Sequence, residues 1–258
     1  MYQVRLAQGG YAGWKMLQRT MPQQNAMFSA NRQIQGDIRY FSDNASRIGS
    51  ADDILGDYRL RSVILTAFGL ADDINNRYFV KKVLESNPDD RTSLAGRLSD
   101  KRYANLSREL GLWRSDFSGF SSRQILDISE KFQQRLFEKA VGKNHSEIEL
   151  AMNAQRELPE MAKSASSNDA KWYQILASKP LRKVFEGAFG WSAQFMRLPI
   201  DRQLAEVKNA SERFFGTSDL SRLALPENLD KLLTRYLVMQ QNSEDGRREA
   251  PILALFRG

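Results

Sequence analysis

Two eleven-residue strings constrain this chain more than anything else in it: LRSVILTAFGL, beginning at Leu60, and LRKVFEGAFGW, beginning at Leu181. They are identical at six positions, and Ile54-Leu55 precedes the first by the interval at which Ile175-Leu176 precedes the second. Leu60, Val63, Ile64, Ala67 and Phe68 stand in register with Leu181, Val184, Phe185, Ala188 and Phe189. Positions i, i+3, i+4, i+7 and i+8 fall on one stripe of an α-helix, wide enough for a core-facing surface. A glycine follows each stripe, Gly69 and Gly190. That is where a left-handed C-terminal cap favours a residue without Cβ. The shared positions bury a helix and do no chemistry, so the spacing predicts a duplicated helical packing unit. A single pair is too few for a solenoid, which needs about three repeats.

Boundary signals elsewhere are also helical. Ser50-Ala51-Asp52-Asp53 reads as a capping box that opens a helix over residues 50–68. Pro180 should end one helix and start another within the second copy. Ser121 with Gln124, and Ser146 with Glu149, are further capping boxes. Asp201 should cap a helix that Gly216 closes, and Pro226 suits a first helical position. Residues 87–90 (NPDD) read as a turn, 115–120 as a loop and 164–168 as a polar linker. No period-2 alternation is clear. The expected fold is all-α, an array of about eight to ten helices. Residues 1–36 would be a partly flexible N-terminal arm and 37–163 a first helical unit. Residues 164–240 would be a second unit packed on the first, and 241–258 a tail.

Composition excludes some functions. Among 258 residues there is no cysteine and one histidine, so disulfides and thiolate zinc ligation are out. The net charge is +7. Residues 1–48 hold six basic residues against two acidic ones, and the two signs alternate elsewhere. A dense basic stripe, the usual footprint of nucleic-acid binding, is missing. A nucleic-acid binder would show a steep salt dependence of affinity. No segment reaches the roughly 18 apolar residues of a membrane span. MYQVRLAQGG at the start lacks an apolar signal-peptide core, so the expected location is cytoplasmic, or outside by a route independent of such a signal.

No catalytic, metal or cofactor site is expected. The carboxylate pairs Asp52-Asp53, Asp72-Asp73 and Asp89-Asp90 stand at helix starts, where Asp satisfies free N–H groups. His145 directly precedes a helix start and has no partners at metal-ligand spacing. Residues 9–13 (GGYAG) lack the lysine and hydroxyl residue of a phosphate loop.

Gly9, Gly10 and Gly13 argue against a stable helix start near the N-terminus. Yet Tyr11, Trp14, Leu17, Met21 and Phe28 are more apolar than a disordered tail allows. This segment should dock, either on its own core or on a partner, and these five residues are the candidate stripe. Ile252, Leu253, Leu255 and Phe256 are a second candidate anchor. If the first segment serves a partner, deleting residues 1–30 abolishes binding with little change in stability. If it serves the core, stability collapses.

Several longer strings carry a family likeness: GYAGWKMLQRTMPQQNAMFSANRQI (10–34), SADDILGDYRLRSVILTAFGLADDINNRYFVKKVLE (50–85), RLSDKRYANLSRELGL (97–112), FEKAVG (137–142) and KPLRKVFEGAFG (179–190). Together they resemble an uncharacterised all-helical alpha-proteobacterial domain-of-unknown-function family, numbered twelve-seventeen, commonly encoded among flagellar genes. The likeness runs from about Gly10 to Tyr236 and diverges most near residues 194–203. It implies a role linked to flagellum assembly, structure or regulation. With no reactive centre among its residues, the expected function is a non-enzymatic accessory or exported component of the flagellum, acting through protein–protein contacts. A cytoplasmic assembly factor or regulator is the alternative, and a basic nucleic-acid-binding protein a less favoured one. The resemblance carries over no catalytic or binding residues.

Overall fold

The computed structural model of the protein describes residue 4 and residues 6–255, with side chains for all of these except 193 and 242–255. Among the described residues there are fourteen α-helices and no β-strand. In chain order they are α1 (Gly10–Ser29), α2 (Arg32–Ala45), α3 (Ala51–Gly56), α4 (Tyr58–Ala67), α5 (Arg77–Leu84), α6 (Leu94–Arg97) and α7 (Lys101–Leu110). Then come α8 (Ser122–Gly142), α9 (Ser146–Lys163), α10 (Asn168–Ala177), α11 (Lys179–Phe189), α12 (Ile200–Phe215), α13 (Leu220–Leu223) and α14 (Pro226–Leu255). The count exceeds eight to ten because α1 forms in the expected arm, the four-residue α13 is added, and polar caps split two expected helices. Residues 50–68 break at Asp57, and the leucine-rich segment 94–110 breaks before Asp100, each an N-cap whose carboxylate accepts from the next helix.

The chain divides into two units, one built from Val4 and Pro22–Lys139, the other from residues 6–21 and 140–255. The division falls at residues 139/140, and residues 10–36 are largely helical. The N-terminal glycines favour the helix. Gly10 holds a φ of +63° at its start. A Cβ on Gly13 would stand 2.0 Å from the Gln8 carbonyl oxygen, so only glycine permits that close approach.

In the first unit α4 packs on α2 and α3, burying Leu60, Val63, Ile64, Ala67 and Phe68. In the second, α11 packs on α9, α10 and α14, burying Leu181, Val184, Phe185, Ala188 and Phe189. Full burial of each large side chain in these stripes is worth about 1.5–3 kcal/mol. Both helices end alike. Gly69 and Gly190 have φ of +71° and +69°. The Leu70 amide donates to the Leu65 carbonyl at 2.7 Å, and the Trp191 amide to the Glu186 carbonyl at 2.9 Å. These are the wide-loop bonds of a Schellman cap, which satisfy carbonyls a helix end otherwise leaves free.

The entries to the stripes also correspond. One residue, Asp57, joins α3 to α4 with φ −99° and ψ 116°, and one residue, Ser178, joins α10 to α11 with φ −79° and ψ 108°. Arg61 donates Nη1 to the Leu55 carbonyl, and Arg182 donates Nη1 to the Leu176 carbonyl at 3.1 Å. Each guanidinium ties its helix back to the end of the preceding one.

Other boundary signals divide. Ser121 and Gln124 exchange the two bonds of a capping box, and Pro226 opens α14. Pro180 sits in the first turn of α11, and Gly216 closes α12 at φ +69°. Ser146, by contrast, lies inside α9, whose N-cap is His145, and α12 is preceded by Pro199, with Asp201 in its first turn.

Asp57 supports a test of the first joint. Its Oδ1 accepts the amides of Arg59 at 2.8 Å and Leu60 at 3.1 Å, and its Oδ2 accepts the Tyr40 hydroxyl at 2.5 Å. Burial acts to raise the Asp57 pKa, but the Tyr40 bond, the two amides and Arg59 outweigh it and hold the carboxyl below its ordinary value. A carboxylate depressed on folding contributes stability above its unfolded pKa of about 3.9 and loses it as pH falls through the folded value. Asp57→Ala should therefore cost roughly 0.5–2 kcal/mol at pH 7. In urea unfolding across pH, the gap to the parent protein should narrow below about pH 4, where the parent loses the same contribution.

Candidate partner-binding surfaces

Five of the six carboxylates in the acidic pairs are engaged in local structure, and Asp72 is exposed. Asp53 Oδ2 accepts the amides of Gly49 at 3.0 Å and Ser50 at 2.8 Å, completing the box at the start of α3. Asp52 pairs with Lys81 at 2.5 Å, Asp89 with Arg108 at 2.8 Å, and Asp90 accepts the Thr92 amide at 2.8 Å. Asp73 accepts the Tyr103 hydroxyl at 2.6 Å, and burial together with that bond raises the Tyr103 pKa. His145 has Glu147 at 3.8 Å and the Leu6 carbonyl at 3.4 Å. Among the described residues no group of three or more His, Asp or Glu side chains is placed to hold a metal ion.

The candidate N-terminal stripe is split by burial. Trp14 and Leu17 are fully buried, so they serve the core of the second unit and present no surface to a partner. Near them the Gly10 amide donates to Glu147 Oε1 at 3.0 Å, and Lys15 pairs with Asp230 at 3.1 Å. Phe28 is buried in the first unit, edge-on to Phe137 at 5.5 Å. Tyr11 and Met21 are half-buried and keep some accessible area. Three of the five stripe residues therefore face inward. Ile252, Leu253 and Leu255 belong to the backbone of α14 with side chains outside the described set, and Phe256 lies outside the described residues.

The surface that the stripe argument passed over lies on the first unit. Asp52, Leu55, Gly56, Arg77, Tyr78 and Lys81 line a recess of ≈ 450 Å³ between α3 and α5, open to solvent. Tyr78 is 76% exposed and Tyr58, next to Gly56 and Asp57, is 62% exposed, unusual for residues so apolar. Arg61 is only 2% exposed, bonds the Leu55 carbonyl of the recess wall, and leaves its buried Nε without an acceptor. Burial lowers the Arg61 pKa and the charge of Arg77 lowers it further. Neither Arg61 nor Arg77 forms an ion pair among the described residues. No motif announces this arrangement, since Arg61 and Arg77 come together only through folding. The one available signal was an arginine within an otherwise buried stripe segment.

In the second unit the corresponding Arg182 also has its Nε buried without a hydrogen-bond acceptor, but a carboxylate stands close to it. Arg182 Nε stands 3.5 Å from Glu186 Oε1, one helical turn on. Burial raises the Glu186 pKa, opposed by Arg182 and Lys183. In the first unit the residue one turn beyond Arg61 is Leu65, itself buried.

Comparison with known proteins extends the fold and leaves the activity open. A crystal structure of a protein from Agrobacterium tumefaciens, solved by a structural genomics consortium, superposes with a TM-score of 0.72. It shares 23% identity over 90% of this chain and 93% of its own. At that identity the likeness speaks for the fold alone. No functionally curated protein matches the sequence. The family model described as "Protein of unknown function (DUF1217)" matches residues 67–229, well over half of the chain, and the chain belongs to that family.

Proposed function

We propose that this protein is a non-enzymatic helical component serving the bacterial flagellum, either as an accessory or exported part or as a cytoplasmic assembly factor, and that it works through protein–protein contacts. The observation that carries the non-enzymatic part is the employment of its polar groups. Of the six carboxylates in its three pairs, Asp53 and Asp90 bond backbone amides, Asp52 and Asp89 hold ion pairs, Asp73 takes a tyrosine hydroxyl, and Asp72 alone is exposed and unbonded among the described residues. Acid–base catalysis needs a carboxyl free to exchange protons with a substrate. The flagellar part rests on the sequence likeness described first.

We also read α3–α4 and α10–α11 as two copies of one helical pair. The one-residue joints, the arginine-to-carbonyl ties and the matching Schellman caps support that reading beyond the shared letters. A helical pair repeated in both units suits a scaffold that presents surfaces.

Affinity capture with the full chain from a flagellated host tests the function. Flagellar subunits should be enriched over a charge-matched control protein, and fractionation should find the chain either with filaments and medium or in the cytosol. The first location marks an exported part and the second an assembly factor. A strain lacking the gene with normal flagella and normal motility, together with no flagellar enrichment, would overturn the proposal.

A further inference from the structure

A guanidinium taken out of water needs compensation. The cost of desolvating it is several kcal/mol unless hydrogen bonds and an opposite charge restore what water gave. In the second unit Glu186 Oε1 stands 3.5 Å from Arg182 Nε and supplies an opposite charge, although neither atom makes a hydrogen bond. In the first unit the corresponding position is Leu65, and the charge of Arg77 works against the cationic form of Arg61. Asp57 acts on Arg61 from nearby, but its oxygens are committed to Tyr40 and the amides of Arg59 and Leu60. Arg61 thus lacks the close carboxylate that Arg182 has, and Arg77 lines the open recess together with Leu55, whose carbonyl Arg61 bonds.

We propose that this recess is a docking site for an acidic segment of a partner protein, one carboxylate of which lies against Arg77 and supplies the counter-charge for Arg61. The site rests on the protein–protein reading above and gives that reading a location. Arg77 offers the accessible fork for a carboxylate. Lys81 is already held by Asp52 at 2.5 Å, so that pair is near neutral and borders the site without opposing it. Tyr78 lines the recess as an exposed aromatic anchor, and the exposed Tyr58 ring lies 5.5 Å from the Arg61 guanidinium. Tyrosine beside arginine is the composition that dominates binding energy at protein interfaces. A free phosphate would use several convergent N–H donors, and here one arginine is uncommitted.

The test uses the full chain, tyrosine-labelled for NMR at low salt, with three probes: a Glu- and Asp-rich peptide, a Lys-rich peptide of equal length, and inorganic phosphate. The acidic peptide should shift the Tyr58 and Tyr78 signals, and the basic one should not. Arg77→Glu, an exposed change that leaves the core alone, should weaken binding about tenfold or more, as loss of a charge-assisted contact does. Leu65→Glu places a carboxylate where the second unit has one and should also weaken the peptide by satisfying Arg61 from within. If Leu65→Glu fails to unfold cooperatively, Arg77→Glu decides alone. The proposal falls if the acidic peptide leaves both tyrosines unmoved, if Arg77→Glu binds like the parent, or if phosphate at equal concentration reproduces the shifts. Flagellar capture that persists in Arg77→Glu would remove this site and leave the proposed function standing.

Discussion

Deleting residues 1–30 should unfold the second unit instead of releasing a dispensable arm. Trp14 and Leu17 are both fully buried. Truncating a buried Trp to Ala costs about 3–5 kcal/mol and a buried Leu about 2–5 kcal/mol, and deletion removes both together with their helix. The sum is a large part of the roughly 5–15 kcal/mol that holds an ordinary domain together. The Lys15–Asp230 pair adds little, because its side chains are 36% and 51% exposed and such surface pairs are worth about 0–1 kcal/mol. Thermal and urea unfolding of the truncated chain should show loss of the cooperative transition, and Trp14→Ala alone should reproduce most of the drop. A truncated chain that melts with the parent would show that the helix adds nothing to the core. Because this deletion damages the core, loss of partner capture in it would say nothing about binding.

Trp172→Ala should be the most damaging single substitution outside α1, at about 3–5 kcal/mol. The indole is fully buried, meets Phe185 edge-on at 5.2 Å, and donates its Nε1–H to the Ser218 carbonyl at 2.8 Å. Comparison with Trp14 separates packing from hydrogen bonding, since Trp14 Nε1 is buried without an acceptor. Trp172→Phe should therefore cost more than Trp14→Phe, by roughly the 0.5–1.5 kcal/mol of one net hydrogen bond. The difference stays at that level because the Ser218 carbonyl keeps a second donor, Asn168 Nδ2 at 2.9 Å. Equal losses in denaturant unfolding would mean that the Ser218 bond contributes nothing net.

What could be read in advance follows a physical line. The five-position stripes, the glycine caps at 69 and 190 and the proline break at 180 are local, and each appears where the spacing put it. Asp57 was missed because a continuous stripe hides a joint of one residue whose side chain begins the next helix. The N-terminal glycines misled because their usual effect on helix propensity ran opposite to their use here, a close approach to the Gln8 carbonyl. Periodicity found the apolar residues of α1 but could not say what they face, which is a tertiary question. The recess beside Arg77 was illegible for the same reason: it joins α3 to α5 through folding, and the shortage of counter-charge at Arg61 shows only once Arg182 is seen with Glu186.

The one-residue joints at Asp57 and Ser178 determine where this molecule tolerates added sequence. With no slack between α3 and α4 or between α10 and α11, an inserted residue turns the following helix by about 100° and aims its apolar stripe away from the interior. A fluorescent reporter or an epitope tag therefore belongs in the serine-rich stretch between α9 and α10, where the chain is already irregular and largely exposed and no helix needs to keep its phase.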